Sequence, residues 1–260
     1  MSATAASSTD APPTEAAYVY GVVARGAVTT PGHKGVAGAR VQTIEHGDLA
    51  ALVSLIPGDK LRVRRRDLVN HLRVIEEAFE SGTIVPCAFG TLLPSQEAVR
   101  RDVLGARRDE LVAALSRLEG FVQLNVRVLY DEDALLREVV ANEAQIARLR
   151  EETRRLGDAG YYERIKLGEL VAAAVADRRE EDGHALYERL APLAADVAGD
   201  EPAEGFALKA SFLVDRGRLH AFERELDAVA REHSTRLVVE SIGPLPPTAF
   251  AGTEEGGWAS

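Results

Sequence analysis

The single cysteine of this 260-residue sequence, Cys87, has the side chain best suited to covalent chemistry. Its thiol would act as a nucleophile only if a neighbouring base or positive charge lowered its pKa. Cys87 lies inside the apolar run "IVPCAF", and a free cysteine in such a run is usually a buried, unreactive core residue. We therefore expect Cys87 to pack in the core, with catalysis by its thiol as the less favoured alternative.

The six histidines are spaced in a way that argues against a metal centre. No two of them stand three or four residues apart, and a single cysteine leaves no Cys-x-x-Cys pair. They are His33, His46, His71, His184, His220 and His233. We predict no catalytic, metal-binding or cofactor-binding residues, and therefore no enzyme.

The glycine-rich stretch "GAVTTPGHKGVAGAR" (26–40) does not have the spacing of a nucleotide-binding loop. It matches neither the P-loop pattern nor G-x-G-x-x-G, and a hairpin rather than a helix is expected after it. Carboxylates elsewhere, such as Glu76, Glu77 and Glu80, stand among arginines and are typical of solvated helix faces.

Overall charge restricts the class of partner. The formal net charge is −10, which argues against general binding to nucleic acid or to an anionic membrane. "RVRRRD" (62–67) is a local exception, and it fits either a solvated loop with a first helical turn or a small anionic docking patch. No apolar run approaches the roughly 20 residues that span a bilayer. Residues 1–17 lack the features of a secretory signal, so we expect a disordered tail and a cytoplasmic protein.

The first half of the chain predicts strands and two helices. "YVYGVVA" (18–24) is typical of a buried strand, and His46-Gly47-Asp48 joins two β-prone runs in a predicted hairpin. A helix with Asp67 as its cap should follow and end at Gly82. Its expected buried stripe is Leu68, Leu72, Ile75 and Phe79.

Another strand, helix and strand should then follow. "TIVPCAFG" predicts a short strand interrupted by Pro86. A helix capped by Ser95 should run to Gly120, with Leu104, Leu111, Leu115 and Leu118 buried. "FVQLNVRVLYD" alternates apolar and polar residues, which predicts a strand with one buried face.

The second half predicts a long helical region and then a β–α–β unit. Residues 131–197 show helical spacing without a strand pattern, and "GDAGYY" (157–162) is the expected turn of an αα-hairpin. "FALKASFLV" and "RLVVESI" should be strands on either side of a helix.

We therefore predict an α+β chain with two ferredoxin-like domains, each an antiparallel sheet plus helices, joined by a long helical arm. The expected parts are a disordered tail (1–17), an N-terminal domain (18–131), a helical arm (132–200), the β–α–β unit that completes the C-terminal domain (201–252) and a flexible tail (253–260).

Five segments, in order, resemble a known family. They are "HGDLAALVS" (46–54), "VPCAFGTLLPSQEAV" (85–99), "GFVQLNVRVLYDEDAL" (120–135), "KASFLVDR" (209–216) and "GPLPPTAF" (243–250). Together they look like the landmarks of the gas vesicle GvpL/GvpF family, and the resemblance extends from Tyr18 to Phe250. Leu245 and Thr248 stand where the family usually has aromatic residues, and Cys87-Ala88 stands where it usually has Val-Arg.

The resemblance implies an accessory protein of gas vesicle formation, found at the gas vesicle or in the cytoplasm. It implies binding to the hydrophobic shell protein or to other accessory proteins, with no nucleic acid, membrane or small-molecule partner. The family-motif residues are given structural roles: Pro86, Phe89, Gly90, Gly243, Pro244, Pro246, Pro247 and Phe250. A small-molecule sensor built from ferredoxin-like domains, with a ligand held by the loop 26–40, is the alternative.

The stretch "SIGPLPPTAF" (241–250) raises a structural question, because three prolines follow a predicted strand. We expect the strand to end at Gly243 and the prolines to turn the chain across the sheet. Leu245 and Phe250 should then pack back onto the second domain.

Overall fold

A computed structural model describes residues 15–27, 29–57, 64–199 and 205–252, with Asp158 described in its backbone only. Residue contacts divide the chain into two units. Unit 1 holds the residues up to Gly120 together with the segment that begins at Pro246, and unit 2 is Phe121–Leu245. Glu15, Ala16 and Ala17, predicted to belong to the disordered tail, instead open the first strand. The rest of that tail and the predicted tail at 253–260 lie outside the described residues.

The described part of unit 1 contains five strands and three helices, with a π-helical turn between the last two helices. They are β1 (Glu15–Ala24), β2 (Val41–His46), β3 (Leu49–Pro57), α1 (Arg65–Ser81), β4 (Ile84–Pro86), β5 (Leu92–Leu93), α2 (Gln96–Ala98), the π-helical turn Val99–Gly105 and α3 (Arg108–Leu118). The sheet order is β2-β3-β1-β4, with every pair antiparallel and β5 also paired with β1. The predicted hairpin is confirmed, because β2 and β3 pair from His46 and Leu49 across Gly47, whose φ is +60°.

Helix α1 buries a different face from the one that its leucines predict. Leu68 and Leu72 are exposed, whereas Asp67 and His71 are buried beside Ile75. Asp67 is inside the helix and is not its cap residue, and its carboxylate accepts hydrogen bonds from the Ala37 and Arg64 backbone amides at 3.1 Å each. Polar side chains with such partners can be buried without a large desolvation cost, so the stripe expected from hydrophobicity alone was wrong at its first two positions.

Four strands and four helices make up the part of unit 2 that the structure describes. They are β6 (Phe121–Tyr130), α4 (Glu132–Asn142), α5 (Ala144–Leu156), α6 (Tyr161–Leu190), β7 (Asp196–Gly199), β8 (Phe206–Asp215), α7 (Leu219–Glu232) and β9 (Leu237–Leu245). The sheet order is β7-β8-β6-β9, again antiparallel throughout. Among the described residues, no helix, α6 included, is long and apolar enough to cross a membrane.

The two sheets share one strand order, which confirms the predicted α+β class with two antiparallel sheets. Within each unit the spatial order of the first four strands is second, third, first, fourth, the order of a split β–α–β or ferredoxin-like fold. In unit 1 the first crossover is the segment between β1 and β2, whose one helical element among the described residues is the short 3-10 turn Val36–Gly38. In unit 2 the first crossover consists of the helices α4–α6. The predicted strand 121–130 was assigned to the first half, but β6 pairs with β8 and β9 in the second sheet.

Candidate functional site

The segment Pro86–Gly90 is hydrogen-bonded to β1, a central strand of unit 1. It contains the family-motif residues Pro86, Phe89 and Gly90. The Cys87 amide donates to the Tyr20 carbonyl at 2.8 Å, which extends the pairing of β4 with β1. The backbone then turns, with Gly90 at a φ of +98°, a conformation that favours glycine. The Gly90 amide donates to the Tyr18 hydroxyl oxygen at 3.0 Å, so both ends of this segment are bound to β1.

His71 of α1 completes that attachment. Its Nδ1 lies 3.0 Å from the Tyr18 hydroxyl, and the Phe89 ring stands edge-on with its centroid 5.4 Å from the imidazole centroid. Burial lowers the pKa of His71 to about 4, although a hydrogen bond with the Cys87 backbone opposes the shift. The ring is therefore neutral at pH 7. Because one ring N–H donates to the Cys87 backbone, Nδ1 is left to accept a hydrogen bond from the Tyr18 hydroxyl. No local sequence pattern marks the link between His71 and Tyr18.

Cys87 is buried, as its sequence context predicted. Burial raises the pKa of its thiol to about 12, with only a small opposing effect from Arg107. A thiol with this pKa is protonated at pH 7 and is a poor nucleophile. Within the described residues, no group of three or more His, Cys, Asp or Glu side chains could hold a metal ion.

The glycine-rich loop packs directly on the sheet at Tyr20. The Val36 amide donates to the Tyr20 hydroxyl oxygen at 2.7 Å, and that hydroxyl lies 2.8 Å from Ser54 Oγ. A Cβ added at Gly35 would stand 1.9 Å from the Tyr20 oxygen, so glycine is required here by close approach. This contact favours a structural role for the loop over the ligand site proposed in the sensor alternative.

The proline-rich segment has a different course from the one predicted. β9 does not end at Gly243 but continues through Pro244 to Leu245, which pairs with Gln123 after a register shift. A Cβ at Gly243 would lie 2.4 Å from Leu124 Cδ2 and 2.8 Å from the Gln123 carbonyl oxygen. Gly243 therefore lets β9 approach β6 closely at this shift.

The residues after Leu245 belong to unit 1, so the expected packing of Phe250 on the second domain is wrong. Pro246 and Pro247 are buried, and a 3-10 turn at Thr248–Phe250 follows them. Arg117 of α3 donates through Nη2 to the Phe250 carbonyl oxygen at 2.8 Å, and the Phe250 side chain is only 6% exposed. Pro86 and Phe250 are buried at the two landmarks. The structural roles expected for the whole set of family-motif residues stay a prediction.

A cluster of buried charges lies in unit 2, at the start of β9. Arg236 donates to both carboxylate oxygens of Asp182 on α6, at 2.6 and 3.3 Å, and through Nη1 to Glu138 on α4 at 3.3 Å. The Tyr130 hydroxyl donates to Asp182 at 3.2 Å. The side chains of Arg236 and Asp182 are only 11% and 9% exposed. This cluster connects two helices to the sheet, which is a structural role.

The outer edge of β9 is the surface of unit 2 best suited to binding another chain. β9 pairs with β6 on one side, and no described strand pairs with its other side. Val238 and Ile242, 54% and 55% exposed, project from one face of this edge, opposite Leu129 and Asn125 of β6. The other face is covered by α7, whose Phe222 ring lies 5.1 Å from that of Phe212.

Comparisons with known proteins agree with the fold and with the sequence landmarks. Residues 16–252 match the family described as gas vesicle synthesis protein GvpL/GvpF. Gas vesicle protein F of Streptomyces sp. (strain CB03234) is 36% identical over 236 residues, which are 90% of this chain and 98% of that protein. Gas vesicle protein F1 of Halobacterium salinarum is 26% identical and covers 91% of this chain and 93% of its own length.

Two solved structures have the same fold. The crystal structure of GvpF from Anabaena sp. PCC7120 aligns with a TM-score of 0.75 at 21% identity, over 93% of this chain and 98% of that one. GvpF from Microcystis aeruginosa aligns with a TM-score of 0.70 at 20% identity, over 92% and 99% of the two chains. With nearly its whole length matched, this chain belongs to the gas vesicle synthesis protein GvpL/GvpF family.

Proposed function

We propose that this protein is an accessory factor in gas vesicle formation that binds other vesicle proteins, the hydrophobic shell protein first among them, through the edge of β9. Family membership supports the gas vesicle role, because its relatives are gas vesicle F proteins. The observation that carries the binding mode is the outer edge of β9, which pairs with no other strand of the described residues and along which Val238 and Ile242 are exposed.

The physical argument concerns what an edge strand offers. Its free backbone amides and carbonyls form a template for one more strand, and natural proteins usually protect such edges with charges or bulges. The stretch Leu237–Ile242 pairs regularly with β6 before the register shift, so its six residues present an edge about 20 Å long. An apolar strand of a partner would gain backbone hydrogen bonds there and cover two β-branched side chains. The net charge of −10 would keep the complex in solution.

Charged substitutions at the edge should abolish this binding. We expect Val238→Lys together with Ile242→Lys to reduce retention of the shell protein by about tenfold or more, since lysine on an edge disfavours strand addition. Retention is measured by co-expressing the two proteins and pulling down through a tag on this chain.

The matched control is Leu92→Lys with Leu136→Lys, which places the same charges on exposed apolar residues outside β9. Both double variants should keep the melting temperature of the parent within a few degrees, because all four side chains are exposed. Equal retention by the edge variant and the control variant would refute binding through β9.

A further inference from the structure

The outward face of α1 carries a patch that the packing of unit 1 does not use. Leu68, Val69 and Leu72 are each 41% exposed, and their spacing places them side by side on the helix. Leu92 is the other large apolar residue of unit 1, within its described part, that is exposed to a similar degree. Three neighbouring apolar side chains on one helix face form a local patch.

Arginines surround this patch. Arg65 and Arg66 precede it in the first turn and Arg73 follows it, and all three side chains are exposed. None of the three has an acidic partner among the ion pairs of the described residues, whereas several arginines of α5 and α6 have one. Asp67, the acid between them, is buried and faces the loop amide of Ala37. Glu76 is the nearest exposed carboxylate on the same helix face, one turn further on.

The position of these arginines is unfavourable for the helix itself. Cations in the first turn oppose the positive end of the helix dipole, so Arg65 and Arg66 weaken α1 rather than stabilise it. Together the dipole and the unpaired guanidinium groups make this a positive surface on a protein of net charge −10. Such a surface attracts an acidic group, and apolar side chains next to that group can pack on the apolar patch.

We propose that the outward face of α1, formed by Arg65, Arg66, Leu68, Val69, Leu72 and Arg73, is a docking surface for an acidic amphipathic helix of a partner protein. Leucine-type anchors on such a helix would pack on the three apolar side chains, and its carboxylates would pair with the arginines around them. This α1 surface is separate from the β9 edge, and the inference does not depend on the role proposed for that edge.

Two other occupants fit the surface less well. A second copy docked through the same patch would place arginines against arginines, because a two-fold interface brings identical surfaces together. An anionic membrane would meet the positive patch but would be repelled by the remaining surface of a chain with net charge −10. An acidic helix has the complementary charge and the small footprint that three apolar side chains can cover.

A peptide-binding measurement tests this proposal. The probe is a fluorescent synthetic helix with leucines on one face and glutamates on the other, and the comparison peptide carries lysine in place of every glutamate. We expect the full chain to raise the anisotropy of the acidic peptide and not of the basic one. Arg65→Glu with Arg73→Glu, and separately Leu68→Ser with Leu72→Ser, should each weaken binding by about tenfold or more.

The matched control is Leu136→Ser with Arg137→Glu, an exposed apolar–basic pair on α4, which should bind like the parent chain. Binding should also weaken when salt is raised, since the arginines are exposed. Equal affinity for acidic and basic peptides, no binding of either, or unchanged affinity in the charge-reversed variant would overturn the proposal. So would binding to phosphatidylglycerol vesicles without binding to the acidic peptide. Retention of the shell protein by the α1 variants is measured separately, because that result concerns the β9 edge and not the α1 surface.

Discussion

Replacing Arg236 by Met is expected to lower the free energy of unfolding of unit 2 by about 3–5 kcal/mol. The substitution removes the cation closest to Asp182, which Arg178 approaches only to 3.7 Å, and Asp182 is too buried to recover its hydration. A buried carboxylate without its partner is costly, so the loss reflects the orphaned charge more than the worth of the original ion pair. Urea unfolding, with hydrogen exchange of the β6 amides to identify unit 2, measures the change.

Two further variants, a control and a rescue, test this expectation. Arg224→Met removes an exposed arginine from α7 and should change the free energy of unfolding by no more than about 0.5 kcal/mol. Adding Asp182→Leu to Arg236→Met should recover part of the loss, because it removes the uncompensated charge as well. If Arg236→Met destabilises unit 2 no more than Arg224→Met does, the cluster does not hold α4, α6 and β9 together.

Replacing Phe250 by Ala should destabilise unit 1 by about 2–4 kcal/mol, since it leaves a cavity where a buried ring was. The effect should appear as lower hydrogen-exchange protection in β1 and β3, with β6 and β8 unchanged, because the segment after Leu245 packs in unit 1. If the segment packed on the second domain, as expected from the sequence, hydrogen-exchange protection would fall in β6 and β8 and not in β1 and β3.

Thr248→Ala, which alters an exposed side chain in the same 3-10 turn, is the control and should change stability little. An unchanged melting temperature for Phe250→Ala would mean that the ring does not support unit 1. Loss of protection confined to β6 and β8 would restore the original assignment of this segment to the second domain.

Elements with a local signal were predictable from sequence. The alternation in 121–130 identified β6 and its buried face, Gly47 identified the β2–β3 hairpin, and Ser95 identified the start of α2, where its hydroxyl accepts from the Ala98 amide at 3.1 Å. These features depend on residues within one strand or one turn.

Features that depend on distant partners were not predictable in the same way. Asp67 and His71 are buried because a loop 30 residues earlier and a tyrosine 53 residues earlier supply their hydrogen bonds. A hydrophobicity pattern assigns such polar residues to the surface, and it therefore placed Leu68 and Leu72 inside. The same limit applies to β6, whose pairing with β8 and β9 joins residues at least 77 positions apart in sequence, the separation of Leu129 and Phe206.

The candidate site was predictable only in outline. The family landmarks drew attention to Pro86–Gly90 and to Gly243–Phe250, but not to His71 and Arg117, which hold those segments in place. The identification of β9 as an edge strand required the strand order of the sheet.

The most direct test measures gas vesicle formation in a strain that lacks this chain and any paralogue of its family. It asks whether the protein serves vesicle assembly by binding other vesicle proteins. We predict that the strain forms no buoyant, pressure-collapsible vesicles. The parent chain should restore them, and a folded Val238→Lys/Ile242→Lys chain should not. Normal vesicles in the strain without the chain would contradict the assembly role, and full restoration by the edge variant would contradict binding through β9.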